Sequence, residues 1–229
     1  MKSHIENEKQ PIEDVARDLA LLAKDLDHRH RQQRKIQFFL DIRGYFVANR
    51  VTGSYIEFGV YRGEMMYGAH HVLDGTGCFP LYAGVDTFAG EPAYSQDEQE
   101  ENPYLKPGDF AADYETTQAF LASHIGEDRL RLVRGDFREP SVLEEAKAAA
   151  PFALAVIDCN ISSSIRAAAD WVLPHMQPGG LLFADDYFAN IGDGDFVTGE
   201  ILTAAAQQTN RKLIEYQTYP PCARAFVVM

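Results

Sequence analysis

A chain of 229 residues with 46% apolar and 24% charged residues is sized for one α/β domain with an appendage, and it has enough apolar side chains for a substantial core. Its formal net charge of −13 argues against a nucleic-acid partner, which needs a basic face, and points to a small-molecule partner. No apolar run approaches the ~20 residues of a membrane span. Met1 to Gln10 lacks a signal-peptide core, and Cys78, Cys159 and Cys222 make no C-x-x-C pair. A cytoplasmic protein with free thiols and no membrane partner is expected.

Residues 11–50 read as two helices. Val15, Leu19, Leu22 and Leu26 recur at spacings of three and four, and Ile36, Phe39, Leu40, Ile42 and Phe46 continue that pattern after a very polar patch, Asp27 to Lys35. Residues 1–50 are expected to be a helical segment that packs on the domain or makes a homodimer contact (an oligomerisation segment), or else a lid over the active site, ahead of a main domain of 51–229. From Ser54 the chain alternates. Strands are predicted at Tyr55–Phe58, Leu81–Val85, Leu130–Val133, Ala153–Ile157 and Leu181–Ala184. Helices are predicted at Glu64–Leu73, Tyr114–His124, Val142–Ala149 and Ser164–His175, a rhythm that gives a parallel sheet with helices on both faces. A further helix is predicted over Phe196–Gln208. Lys212–Thr218 and Ala223–Val228, separated by Tyr219-Pro220-Pro221-Cys222, are predicted to close the chain as an antiparallel hairpin at the sheet edge. Gly90 to Asp113 breaks the rhythm and is either a substrate-facing loop or a solvated excursion.

The chemistry gathers at strand ends. Glu57 leads into Gly59-Val60-Tyr61-Arg62-Gly63, a turn that brings backbone close to a ligand at a helix N-terminus; the acid favours a ligand with hydroxyls or an ammonium group over a phosphate. Asp86 ends the second strand 29 residues later, near the spacing at which nucleotide-binding folds place an acid on ribose hydroxyls. Asp158 ends the fourth strand and Asp185-Asp186 the fifth. Each acid alone would pass as surface charge. Together they converge on one crevice, where a positive group must offset them, and Asp158, Asp185 and Asp186 suit a hard divalent cation.

Glu57-Phe58-Gly59-Val60-Tyr61-Arg62-Gly63, Gly84-Val85-Asp86-Thr87-Phe88-Ala89-Gly90, Gly135-Asp136-Phe137, Val156-Ile157-Asp158 and Pro178-Gly179-Gly180 through Asp185-Asp186-Tyr187 resemble, in order, the signatures of class I S-adenosylmethionine-dependent methyltransferases. The likeness covers roughly residues 50–190 and is greatest to the macrocin O-methyltransferase (TylF) group, which methylates sugar hydroxyls of macrolides with a magnesium ion. It implies a Rossmann-like methyltransferase fold with a mostly parallel seven-stranded sheet. It also implies S-adenosylmethionine and Mg²⁺ as cofactors, and a small-molecule acceptor from secondary metabolism such as antibiotic biosynthesis. Glu57, Gly59, Tyr61, Arg62 and Gly63 would face the methionine part of the donor, with Arg62 either at its carboxylate or paired with a surface acid. Asp86, with Thr87 and Phe88 beside it, would hold the ribose, and Asp136 and Phe137 would lie by the adenine. Asp158, Asp185 and Asp186 match the metal ligands, and Asp158, Asp185 and Tyr187 are the candidate catalytic residues, Asp158 also bordering the cofactor.

The chain departs from that pattern after Asp158, where the family's second acid and Tyr are replaced by Cys159-Asn160. Catechol-type enzymes place a Lys three positions beyond this Asp; here Ile161 stands there. His70, His71, His124, His175 and Trp171 read as packing or helix-end residues. N- or C-methylation without metal, and a non-catalytic cofactor-binding subunit, stand as alternatives. A nicotinamide dehydrogenase ranks lower, because the glycine turn lacks the G-x-G-x-x-G spacing.

Overall fold

The computed structural model describes residues 12–229, with side chains described at Arg17, Leu21 and from Arg29 onward. Met1 to Gln10 and the predicted apolar face of Val15, Leu19, Leu22 and Leu26 lie outside the described residues and side chains. The expected pair of N-terminal helices is one continuous helix, α1 (Ile12–Asn49). The patch Asp27 to Lys35 holds no Gly or Pro, and its Arg, Gln and Lys are good helix formers. Polarity alone does not interrupt a helix.

Seven strands follow: β1 (Ser54–Phe58), β2 (Tyr82–Asp86), β3 (Leu130–Arg134), β4 (Phe152–Ile157), β5 (Met176–Ala184), β6 (Leu213–Tyr219) and β7 (Ala223–Val228). They form one sheet in the order β3-β2-β1-β4-β5-β7-β6. Only β7 runs against the others, pairing antiparallel with both β5 and β6, so the predicted C-terminal hairpin forms and β6 takes the edge. β5 starts five residues earlier than expected, because Gln177-Pro178-Gly179-Gly180 continues the strand where sequence reads as a turn. The helices between strands are α2 (Glu64–Leu73), α3 (Gln96–Glu101), α4 (Tyr114–Ile125), α5 (Pro140–Ala146), α6 (Ser162–His175) and α7 (Val197–Gln208). Of these only α3 was not expected. Its acidic composition hides a helix whose start is fixed by a capping box between Ser95 and Glu98.

Each face of the sheet carries its own core. Helices α5, α6 and α7 cover one face, with Ile56, Phe58, Ala155, Ile157 and Leu182 pointing into it. On the other, α1, α2 and α4 pack on Tyr55, Tyr82, Leu154, Val156 and Phe183. β4, buried on both faces, reads as an unbroken apolar run for this reason, and β1 is equally buried despite Ser54 and Glu57. The C-terminal half of α1 is integral to this core. Phe38, Phe39, Ile42 and Phe46 are fully buried at helical spacing, and the Phe38 ring lies 4.3 Å from Phe183 and 5.2 Å from Tyr219. The Tyr45 hydroxyl donates to Gly179 O at 2.8 Å, tying the same helix to β5. Among the described residues, no helix is long and apolar enough to cross a membrane.

Phe38→Ala removes the ring that joins α1 to the sheet and hairpin. It is expected to destabilise the protein by about 3–5 kcal/mol in denaturant unfolding; a loss below about 1 kcal/mol would show α1 to be an appendage.

Candidate active site

Strand register assembles the site. Phe58 pairs with Val85 of β2 and Ile157 of β4, and Ile157 pairs with Ala184 of β5. The next residues, Gly59, Asp86, Asp158 and Asp185, therefore leave four adjacent strands at one level. The ladder continues one step into them, with Gly59 N donating to Val85 O, Asp158 N to Phe58 O and Asp185 N to Ile157 O. Between β1 and β4 the winding reverses, which opens a crevice at the carboxyl ends of parallel strands. Only glycine fits at position 59: φ is +89°, and a Cβ there would lie 2.0 Å from the Asp158 carbonyl oxygen.

The crevice is a cleft of about 250 Å³. Gly59, Tyr61, Asp86, Thr87, Asp136, Phe137, Asp158, Asp185 and Asp186, all singled out from sequence, line it. Asp86 is held by two backbone donors, Tyr61 N at 2.8 Å and Phe88 N at 2.6 Å. Burial pushes its carboxyl up, against those two bonds. The remaining lone pairs are free to accept from a pair of vicinal hydroxyls, so the residues present fit a ribose there. Asp136 lines the cleft, but its carboxylate is taken up by a fork from Arg138, Nε at 3.0–3.1 Å and Nη2 at 2.7 Å. Phe137 is left to offer the apolar surface beside it.

Asp158, Asp185 and Asp186 converge, each placing a carboxylate oxygen within 4.8 Å of the others. Three hard oxygen donors with room for water suit a divalent cation such as Mg²⁺. Burial, then the charge of Asp158, pushes both Asp185 and Asp186 up. The positive group that the sequence demanded comes from α1: Lys35 Nζ lies 2.7 Å from Asp158 Oδ2 and 3.2 Å from Asp185 Oδ2. Burial works to lower Lys35, but the two aspartates outweigh it and hold the ammonium above its ordinary range. Sequence reasoning missed Lys35 by leaving it in the polar patch. Its signal was spacing, since 35, 38, 39, 42 and 46 share one helix face, and the other four are buried aromatic or aliphatic residues.

The segment Gly90 to Asp113 forms a wall of the cleft through Gly90, Glu91, Pro92 and Phe110. Tyr61 and Phe110, both at positive φ, meet edge to face at 6.0 Å between centroids, closing the glycine turn against this segment. The segment is fastened to the start of α6, which has no side-chain cap of its own. Glu98 Oε1 accepts from Ser163 N at 2.8 Å, Glu101 accepts from the Ser162 hydroxyl, and Glu91 accepts from the Asn160 amide. Asn160, the departure from the family pattern, thus serves to hold this wall. Burial raises the Glu98 carboxyl, but the donors from Ser163 and Ser95 outweigh it and bring it below its usual range.

Other expected site residues lie elsewhere. Glu57 is 1% exposed, sits behind the turn rather than on the cleft wall, and accepts from the Tyr55 hydroxyl at 2.6 Å. Burial pushes Glu57 up to about 8, with Tyr55 opposing. Arg62 is exposed and stacks 5.0 Å from the Tyr61 ring centroid, Gly63 packs on Leu121, and Phe88 is buried against Tyr114. Tyr187 does not line the cleft: it is buried among Phe188, Phe196 and Phe226, and its hydroxyl donates to Asp195 at 3.0 Å. Trp171 packs on Phe58 and Phe152, and His175 and His124 close their helices on the carbonyls of Trp171 and Phe120. His70 meets the Tyr82 ring and the stacked His71 lies on Tyr67, so these aromatic contacts make them packing residues.

The strand order and the cleft at its switch define a Rossmann-like methyltransferase fold. The O-methyltransferase NovP superposes with a TM-score of 0.62 at 16% identity, over 85% of this chain and 79% of that one. The calicheamicin methyltransferase CalS11 gives 0.59 at 20% identity, over 96% and 87%. An O-methyltransferase from Bacillus cereus in complex with SAH gives 0.50 at 14% identity, over 85% and 80%. No curated protein matches the sequence. The model of a methyltransferase domain family matches residues 56–187, more than half of the chain. The chain belongs to that family and is an S-adenosylmethionine-dependent methyltransferase.

Two outcomes follow from this geometry. Glu57 has a folded pKa above the ordinary 4.5, so its cost to stability is absent at low pH, grows as pH rises from 4.5 towards about 8, and then levels off. Glu57→Gln should therefore melt higher than the parent protein at pH 9 and close to it at pH 4.5; a variant that melts lower at pH 9 would show that Glu57 is held ionised. Glu98→Ala should raise amide exchange across 96–101 and at the start of α6, by about 1–2 kcal/mol of local opening. Unchanged exchange would place the fastening on Glu91 and Arg138 instead.

Proposed function

We propose that this enzyme is an O-methyltransferase of the macrocin O-methyltransferase (TylF) type, assisted by Mg²⁺ and acting on a hydroxyl of a small molecule, with a sugar or other secondary metabolite as first choice. The observation that carries this reading is the division of one cleft between two acidic sets. Asp86 stands on the β2 side. On the β4 and β5 side stand Asp158, Asp185 and Asp186, which line the same cleft.

When bound, S-adenosylmethionine supplies a methyl group on a sulfonium, and Mg²⁺ supplies a Lewis acid that eases loss of the acceptor proton. The chain's own residues then have four tasks. Asp86 accepts from the ribose hydroxyls and fixes the donor along the β1–β2 edge. Gly59 and Tyr61 let the backbone approach the donor's methionine end. Asp158, Asp185 and Asp186 would hold the metal, and a carboxylate oxygen of Asp158 or Asp185 would take the proton of the acceptor hydroxyl. The wall formed by Glu91, Pro92 and Phe110 excludes water, so the displacement is chiefly a matter of placement.

A smaller hollow adjoins the cleft behind Asp185 and Asp186, lined by Arg31, Arg34, Phe183, Tyr219 and the hairpin turn Pro220-Pro221-Cys222. One observation favours a metal-free second reading, including N- or C-methylation: Lys35 already sets a cation on Asp158 and Asp185. We also place the enzyme in the cytoplasm as a homodimer, for which the exposed row Ile36, Leu40 and Val47 on α1 is the available apolar face.

Calorimetry with S-adenosylhomocysteine should show binding that Asp86→Ala weakens by tenfold or more, the size expected for about 1.5–3 kcal/mol of hydrogen bonding to a charged group. Asp185→Ala should leave that affinity within about threefold while methyl transfer, assayed over a panel of glycosylated acceptors, falls by more than about 100-fold. Activity indifferent to EDTA would remove the metal from the mechanism, and loss of S-adenosylhomocysteine binding in Asp185→Ala would move that acid to the donor.

A further inference from the structure

We propose that Lys35 is a tethered counter-ion for the acid triad, which a divalent cation must displace, so that α1 sets the metal affinity of the site. This inference rests on the metal-assisted reading above.

Three observations support it. First, Lys35 bonds to the same carboxylates that would ligate a metal, Asp158 Oδ2 at 2.7 Å and Asp185 Oδ2 at 3.2 Å. A small divalent ion needs such oxygens at about 2.1 Å, with the rest of its shell filled by oxygen. An ammonium brings only N–H donors and positive charge, so both cannot use these two oxygens in one geometry. Second, Lys35 is not a wandering surface residue. Its side chain is 16% exposed, and its backbone is one turn from Phe38 and Phe39, whose rings are fully buried. The ammonium is therefore returned to the triad whenever no stronger cation is present. Third, the four methylenes of Lys35 give it a way out. Arg31, Gln32 and Glu64 line the same cleft on the same helix and its neighbour, and rotation about the Lys35 side-chain bonds toward them needs no unfolding of α1.

Competition of this kind changes what metal binding does. The ion takes the carboxylates and the ammonium is released, so the ion pairs from α1 to Asp158 and Asp185 are lost while Tyr45 and Phe38 still hold the helix to β5. The affinity of the triad is correspondingly weaker than three aspartates would give alone, which favours loading at high Mg²⁺ and discourages retention of trace cations.

The probe is Mn²⁺, titrated into the full chain by calorimetry, with Lys35→Met and Lys35→Gln beside the parent protein. Both variants are expected to bind Mn²⁺ at least about tenfold tighter, as removal of a competing tethered charge requires. In the parent protein, acetylation of Lys35 by acetic anhydride, followed by mass spectrometry, should speed up several-fold once Mn²⁺ is saturating. This second measurement needs no substitution and decides the matter if the variants fail to fold. Equal Mn²⁺ affinity in all three proteins, or weaker binding in the variants, overturns the competition while leaving the metal-assisted reading in place. Mn²⁺ binding to none of them overturns both, and S-adenosylhomocysteine calorimetry then shows whether the donor site stands without a metal.

Discussion

Crowding of negative charge at the carboxyl edge of the sheet is the constraint on which the rest of this structure depends. Two carboxylates 4.8 Å apart repel by about 3–4 kcal/mol at an effective dielectric of about 20, and Asp158, Asp185 and Asp186 make three such pairs. A folded domain of this size has a net stability of only about 5–15 kcal/mol, so the repulsion is too large to leave unanswered. Lys35 is one answer, and a cationic methyl donor or a metal would be others. The long N-terminal helix is thus tied to the chemistry as well as to the core, because it brings the ammonium to the place where the repulsion is greatest.

The same register that creates this conflict also makes the site precise. Parallel pairing of Phe58, Val85, Ile157 and Ala184 puts the next four residues side by side, and backbone hydrogen bonds continue into them. None of those acids hangs on a free loop. Asp86 gains two further backbone donors, and Asp136 is locked by Arg138, which in turn reaches the carbonyl of Ala93 in the cleft wall. The wall is fastened by carboxylates at the start of α6, a helix end with an unmet need for acceptors. Rigid strand ends and a wall held by a few polar contacts are what an enzyme requires when placement does most of the catalytic task.

Most of the sheet is legible in the sequence because the central strands are short, largely apolar runs bounded by Gly, Pro or acid, and because strand and helix alternate. Glu64–Leu73 and Ala223–Val228 agree to the residue. The cleft-lining acids were legible too, since a strand end is a position that the apolar pattern marks. What was not legible depended on tertiary contact. The break in α1 was inferred from polarity, a property that helices on a surface tolerate. Helix α3 was hidden in an acidic run whose stability comes from a capping box and from Ser162 and Ser163 far along the chain. Tyr187 follows the metal pair in sequence, but the chain has already turned away from the cleft by then, and the ring joins an aromatic cluster with Arg224 stacked on it at 4.6 Å.

Lys35 shows most clearly how a local reading fails. Taken with its neighbours in sequence, it ends a solvated stretch. Taken with Phe38, Phe39, Ile42 and Phe46, it is a charge on the buried stripe of an amphipathic helix, and such a charge must meet an opposite one. The acids it meets were already in view, and so was the need for a cation among them. Positions 35, 38, 39, 42 and 46 form one helix face, and set against the strand-end acids that face joins the two halves of the site in the sequence itself. The residue that resists its local pattern is therefore where a sequence of this fold class should be searched first, because a buried charge persists only where another part of the chain stabilises it.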